Sequence, residues 1–125
     1  MLQSSHDPRR VIGNEGEGTV AVWLQQHGYK VLERNYRTKY GEIDLIVCKD
    51  ETIAFVEVKR RITHYFELSD VITPAKQKKI GRTARIYMAL HENLSFSYRF
   101  DVALIEGEGD TIRVTYIEHA FCVDY

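Results

Sequence analysis

The sequence predicts an α/β domain with two substantial helices and about five strands, in the order helix, three strands, helix, two strands. Three observations predict it. Apolar residues recur at helical spacing around Val20 and again around Ile80. Short runs rich in β-branched residues, bounded by turn residues, lie between and after those helices. Two of the runs, GEIDLIV and IAFVEVK, are apolar at consecutive positions, as strands covered on both faces are.

The chain has 125 residues, 44% hydrophobic and 28% charged, with two prolines and no repeat or low-complexity tract. That is enough for one domain with one core and too little for two. Residues 1–10 read as a polar lead-in. No apolar run approaches the roughly 20 residues of a membrane span, and MLQSSHDPRR lacks the apolar centre of a signal peptide, so a cytoplasmic location is the default expectation. Cys48 and Cys122 sit at no metal-ligand spacing and read as small buried thiols, while the five histidines form no H-x-x-x-H or H-E-x-x-H pattern.

Net charge is −1, but the average conceals a division along the chain: Lys59 to Arg85 holds eight Lys/Arg and two acids, and the flanks on either side are acidic. A solvated helix face is the ordinary explanation of such a run. Beside the charged segment described below, it is also a local attractor for phosphates that leaves the rest of the protein unattractive to them.

The first helix is predicted to begin near Ile12 to Glu15 and to stop at Gly28, a residue suited to a left-handed C-terminal position. Gly16, Val20, Trp23, Leu24 and His27 form its inward stripe. Glu17 lies three and seven residues before Val20 and Leu24, so it joins that stripe. Gly13, Gly16 and Gly18 crowd the same stretch and permit close approach to a sheet or to a bound group. Tyr29 to Arg34 reads as a short strand. The connector Asn35 to Tyr40 mixes two bases with two tyrosines, a composition shared by exposed loops and by phosphate- and base-contacting segments.

Gly41 to Lys59 then forms a hairpin turning at Lys49 to Thr52. Alternation places Glu57 and Lys59 on the face of Phe55, and Asp44 on the face of Ile46 and Cys48. A carboxylate at such a position costs several kcal/mol unless a cation or strong hydrogen bonds compensate it. Beyond a loop from Arg60 to Glu67, Thr73-Pro74 supplies an N-cap and first-turn proline for a helix to about Asn93. Lys76 and Gln77 open its inward or boundary face, near N–H groups that favour anions, and Lys78, Lys79, Arg82 and Arg85 lie on its outer or flanking surface. Strands at Tyr98 to Ile105 and Ile112 to Ile117 complete the set, with Asp101 either supporting the site or pairing with Arg99 or Arg113. The tail from His119 to Cys122 caps the core through Phe121.

An inward glutamate, an aspartate, and a glutamate two residues before a lysine make an oxygen-rich cation site beside an ammonium. Hard oxygen ligands select Mg2+ or Mn2+. Asp44 and Glu57 are the expected direct ligands, with the Val58 carbonyl available beside them and Glu17 acting through water or a second ion. Lys59 is the expected partner of the attacking water or of the developing charge.

The pattern D-x12-E-V-K, with a glutamate on the preceding helix, resembles the PD-(D/E)xK nuclease superfamily. More closely, G-x-x-G-E (Gly13 to Glu17), RNYRTKYGEIDLI (Arg34 to Ile46), FVEVKRR (Phe55 to Arg61), TPAKQ (Thr73 to Gln77) and RFDV (Arg99 to Val102) resemble the YraN-like family of bacterial proteins. The resemblance spans about residues 13 to 121. It implies a restriction-endonuclease-like core, a central mixed β-sheet of about five strands flanked by α-helices, similar to that of Holliday-junction resolvases. It further implies Glu17, Asp44, Glu57, Lys59 and Gln77 as catalytic residues, and a DNA substrate, branched or junction structures included. Ile43 stands where the superfamily has a proline, and the loop Ile62 to Glu67 is more aromatic than its counterpart. Arg37, Lys39, Arg60, Arg61, Lys76, Lys78, Lys79 and Arg82 are the candidate phosphate contacts, and a paired cut across a junction would require a homodimer.

Two rival readings stand beside the nuclease. One is a nucleic-acid-binding module that keeps the fold without turnover; the other is a buried structural ion-pair cluster.

Overall fold

The computed structural model describes residues 8–61, 71–92 and 95–123, with side chains from residue 16 onward. Helix α1 spans Pro8–Gln26, β1 Lys30–Thr38, β2 Gly41–Lys49, β3 Thr52–Arg60, α2 Pro74–Leu90, β4 Ser97–Glu106 and β5 Arg113–Phe121, with a 3-10 turn at Gly109–Thr111. The five strands form one sheet in the order β1-β2-β3-β4-β5. Neighbours are antiparallel except β3 and β4, which run parallel because the connection through α2 crosses over. This is a mixed α/β fold with one helix on each face.

The two cores explain the apolar character of the central strands. On one face Val20, Ala21 and Leu24 of α1 pack on Leu45, Val47, Ala54, Val56, Ala103 and Ile105. On the other, Ile80, Ala84 and Tyr87 of α2 pack on Ile43, Ile46, Ile53, Phe55, Phe100, Val102 and Leu104. Gly16 lets α1 close on the sheet: a Cβ there would sit 3.3 Å from Ile105 Cδ1. That approach brings the next residue, Glu17, down onto the strands.

Several boundaries move outward from their predicted places. Helix α1 starts at Pro8, taking in the end of the expected lead-in, while residues 1–7 lie outside the described part; the left-handed Gly28 (φ 89°) follows the helix as expected. Strand β1 continues through the expected connector to Thr38. Its charges are those of an edge strand, Arg37 pairing across to Glu42 at 3.0 Å, and Tyr36 turns inward to meet the Tyr87 ring edge-on at 5.3 Å. The tail from His119 is mostly strand, β5 running to Phe121, and Phe121 packs on the core as expected, its ring 5.2 Å from Phe100. Cys122 is exposed and Cys48 half-buried, which corrects the expectation of two buried thiols. The expected aromatic loop at Ile62 to Glu67 lies outside the described residues. Among the described residues no helix is long and apolar enough to cross a membrane.

The feature that positions the site is a fork. Strands β2 and β3 pair from Lys49↔Thr52 only as far as Leu45↔Val56. Beyond that, Gly41 to Ile43 stay with β1 while Glu57 to Arg60 stay with β4. Face alternation in β2 breaks at the same place, since Ile43 joins Ile46 on the α2 side instead of opposing it.

Candidate active site

Asp44 stands in the crotch of the fork. Its Oδ2 accepts a hydrogen bond from the Val58 N–H at 2.8 Å, replacing the strand partner that Val58 loses where β2 departs. Glu57 and Lys59 follow on β3, and Glu17 descends from α1. Together with Gly16, Val58, Arg60, Lys76 and Ile105, these four line a cleft of about 240 Å³. Four elements, α1, the β2–β3 hairpin strands and α2, thus deliver three carboxylates and two ammonium groups to one place.

The electrostatics of this cleft are unbalanced. Burial pushes Asp44 up to about 8, with the Glu57 carboxylate adding to the shift, the Val58 N–H opposing it, and Glu17 and Glu42 adding more. Glu17 is also raised, first by burial and then by the charge of Glu42, with hydrogen bonds to the Asn35 and Asp44 side chains and the charge of Arg34 pulling the other way. Glu17 is 9% exposed, and its Oε1 is buried without a hydrogen-bond partner. Such an atom costs free energy unless something fills its lone pairs.

Lys76 supplies the compensation that is present. Its Nζ lies 2.7 Å from Glu57 Oε2. Thr73 caps α2 by accepting the Lys76 backbone N–H at 3.2 Å, so the first turn that carries this lysine is fixed over the cleft.

Not every expected residue arrives. Gln77 turns away, its Nε2 donating to the Ile72 carbonyl at 3.3 Å, and it does not line the cleft. The one-residue step from Lys76 rotates a helical side chain by about 100°, which is why the lysine and not the glutamine reaches the acids. Arg61 is likewise withdrawn: it forms an ion pair with Glu106 at 2.6 Å, shared with Arg113 at 3.3 Å. Arg60 donates to the Gly107 carbonyl at 3.1 Å while still edging the cleft. Arg37 is tied to Glu42, whereas Lys39, Lys78, Lys79 and Arg82 are exposed.

Two contributors were missed. Glu42 lines a wider groove of about 520 Å³ that runs on from Asp44 and Glu57 past Gly41, Thr73, Ala75, Lys76, Lys79 and Ile80. Asn35 adopts a left-handed backbone, φ 54°, in mid-strand, and its side chain acts on Glu17. Asparagine tolerates that conformation better than most residues, which was the available signal.

Among the described residues no three His, Cys, Asp or Glu side chains form a ready-made metal cage. A cation such as Mg2+, which keeps several waters and takes one or two carboxylates plus substrate oxygens, does not need one. The bare Oε1 of Glu17 and the mutual repulsion around Asp44 are what an added cation would relieve.

The profile of the uncharacterised protein family UPF0102 matches residues 16–105. A UPF0102 protein of Nitrosomonas europaea is 44% identical over 110 residues, covering 87% of this chain and 92% of its own. One from Vibrio parahaemolyticus is 42% identical over 107 residues, with 84% and 88% covered. One from Geobacter metallireducens is 37% identical over 115 residues, with 91% and 94% covered. Among solved structures, SfsA from Pyrococcus furiosus in complex with Ca2+ aligns to 88% of this chain and 63% of its own at a TM-score of 0.37 and 15% identity, too slight a likeness to bear on function. The matched region takes in Glu17, the whole fork, α2 and β4 up to Ile105, so the chain belongs to the UPF0102 (YraN) family.

Proposed function

We propose that this protein is a metal-dependent nuclease that hydrolyses DNA phosphodiester bonds at the β2–β3 fork. One observation carries the proposal: Glu17, Asp44 and Glu57 converge in a single cleft where like charge and burial raise the proton affinity of Asp44 to about 8. A fold gains nothing from such a cluster unless a cation visits it.

Asp44 and Glu57 would hold the ion, and Glu17 would reach it through water from its free Oε1. Mg2+ or Mn2+ bound there supplies Lewis acidity and a water of lowered pKa. The chain's own groups do the rest. Lys59, exposed at the mouth of the cleft, orients the attacking water or neutralises charge developing on the phosphoryl oxygens. Lys76 faces the same cleft from the first turn of α2, where the positive end of the helix dipole also favours a phosphate. Gln77 has no direct step in this scheme and acts, through Ile72, on the shape of the chain entering α2.

The test is a cleavage screen of single-stranded, flapped, branched and junction DNA with Mg2+, Mn2+ or chelator, with Asp44→Asn as control. Metal-dependent products that vanish in the variant are expected. Cleavage that survives Asp44→Asn would remove the carboxylates from the mechanism. A junction cut symmetrically would need two sites and hence a homodimer, to be sought by sedimentation.

The Lys76–Glu57 contact, which places a cation of the chain's own on one of the acids, favours a second reading, a binding module without turnover. It predicts no Mg2+ uptake in calorimetry and salt-dependent DNA binding indifferent to Asp44→Asn.

A further inference from the structure

The wider groove leaves the acid cleft, passes Lys76 and Lys79, and ends at Gly41, the first residue of β2 after the β1–β2 turn. Next to Gly41 is Tyr40, among the few large apolar side chains exposed to solvent, at 40%. We infer that Tyr40 is a stacking platform for an unpaired base of the substrate strand, so that the preferred substrate is single-stranded or flapped DNA rather than continuous duplex. This rests on the nuclease reading for the identity of the strand but makes a separate claim about how it is held.

The turn that carries Tyr40 is fixed. Its N–H donates to Thr38 Oγ1 at 3.1 Å, and Thr38 Oγ1 in turn lies 3.1 Å from Oγ1 of the fully buried Thr83 on α2. The backbone at Gly41 approaches α2 so closely that a Cβ there would stand 3.2 Å from Lys79 Cβ. An exposed aromatic ring on a pinned turn loses little freedom on binding, unlike one on a loose loop. Burial in the core does not explain this ring, whereas Tyr36, four residues earlier in the same segment, packs on Tyr87.

Cations surround it. Lys39 Nζ lies 5.2 Å and the Arg82 guanidinium carbon 5.8 Å from the ring centroid. Contacts of that kind at exposed sites change an equilibrium by about two- to fivefold, and base–aromatic stacking by roughly 5- to 150-fold. An incoming base therefore displaces the cations, which are then free to meet the flanking phosphates. Glu42, the groove acid next to Gly41, is already paired with Arg37 at 3.0 Å. The distance from Tyr40 to Asp44 along β2 is about 13 Å at strand rise, room for roughly four stacked nucleotides. A duplex offers no free base face at that point and would bind through its phosphates alone.

Fluorescence anisotropy with the full chain in chelator, using a short labelled DNA single strand and the same sequence as duplex, tests this. Tyr40→Ala should weaken single-strand binding roughly 5- to 150-fold while leaving duplex binding unchanged, and Tyr40→Trp should restore it. Unchanged melting temperatures for both variants confirm that folding is not at issue. Equal loss on both DNAs, or no loss on the single strand, overturns the platform, and in that case Asp44-dependent cleavage still stands by itself. No binding of either DNA by the wild type overturns the platform, and the nuclease is then decided separately by the Asp44-dependent cleavage screen with Mg2+ or Mn2+.

Discussion

Two aspartates on the central strands of one sheet, Asp101 buried and Asp44 half-buried, have opposite surroundings. Asp101, on β4, is 0% exposed, yet each of its oxygens lies 3.1 Å from Arg99 Nε, Oδ2 accepts the Tyr116 hydroxyl at 2.6 Å and Oδ1 accepts the His119 N–H at 3.1 Å. Asp44, on β2, is less deeply buried but receives a single backbone N–H, and its nearest charges are other carboxylates. Burial alone would single out Asp101 and pass over Asp44. Compensation tells structure from function: the fold completes Asp101 with its own groups and leaves Asp44 to be completed from outside.

The sharpest way to break the contrast is Asp101→Asn, expected to cost about 3–5 kcal/mol in urea denaturation because it strands the Arg99 guanidinium. The lower end applies, since Glu118 remains 3.3 Å from Arg99. A loss under about 1 kcal/mol would mean that the network is incidental. At the other aspartate the external partner itself can be supplied. Mg2+ should raise the stability of the wild type by about 2.7 kcal/mol at a hundredfold excess over its Kd, and that of Asp44→Asn far less. Equal shifts in thermal denaturation would place the ion elsewhere.

Without metal, the sign at Asp44 reverses. Its carboxyl is raised to about 8 in the fold, against about 4 in the unfolded chain. The folded protein therefore holds a proton that the unfolded chain has released. That stabilisation is complete below about pH 4 and lost as pH rises through about 8. Asp44→Asn should accordingly be more stable than metal-free wild type by about 1–3 kcal/mol at pH 8, with the gap closing toward pH 4. Melting curves in chelator at the two pH values decide it.

Much of this contrast was legible in the sequence, and the rest was hidden for physical reasons. Helical periodicity put Glu17 inward, and the i, i+2 spacing put Glu57 and Lys59 together, because both depend on local geometry that the chain repeats. Strand alternation failed at Ile43, because it assumes unbroken pairing and β2 leaves β3 at Leu45. Asp101 was visible as an acid in an apolar strand, but Tyr116 and the His119 N–H reach it only through the register of β5, which no local pattern encodes. The choice between Lys76 and Gln77 turned on a single helical step, finer than the uncertainty in where α2 begins.

That step sets up the smallest effect, and the one most specific to the cleft. Lys76 is 42% exposed and Glu57 11%, so their 2.7 Å contact is screened and worth no more than about 1 kcal/mol. It nevertheless occupies an oxygen that an ion would need. Lys76→Met should therefore tighten Mg2+ binding by about two- to fivefold in calorimetry without DNA. The same change should weaken DNA binding and lower its salt slope by about one, because a phosphate-facing cation is gone. Opposite signs from one substitution would show a lysine that holds the acid while the site is empty and the phosphate once it is filled. Loss of both affinities would instead make Lys76 a structural prop of α2, and the contrast with Asp101 would narrow to Asp44 alone.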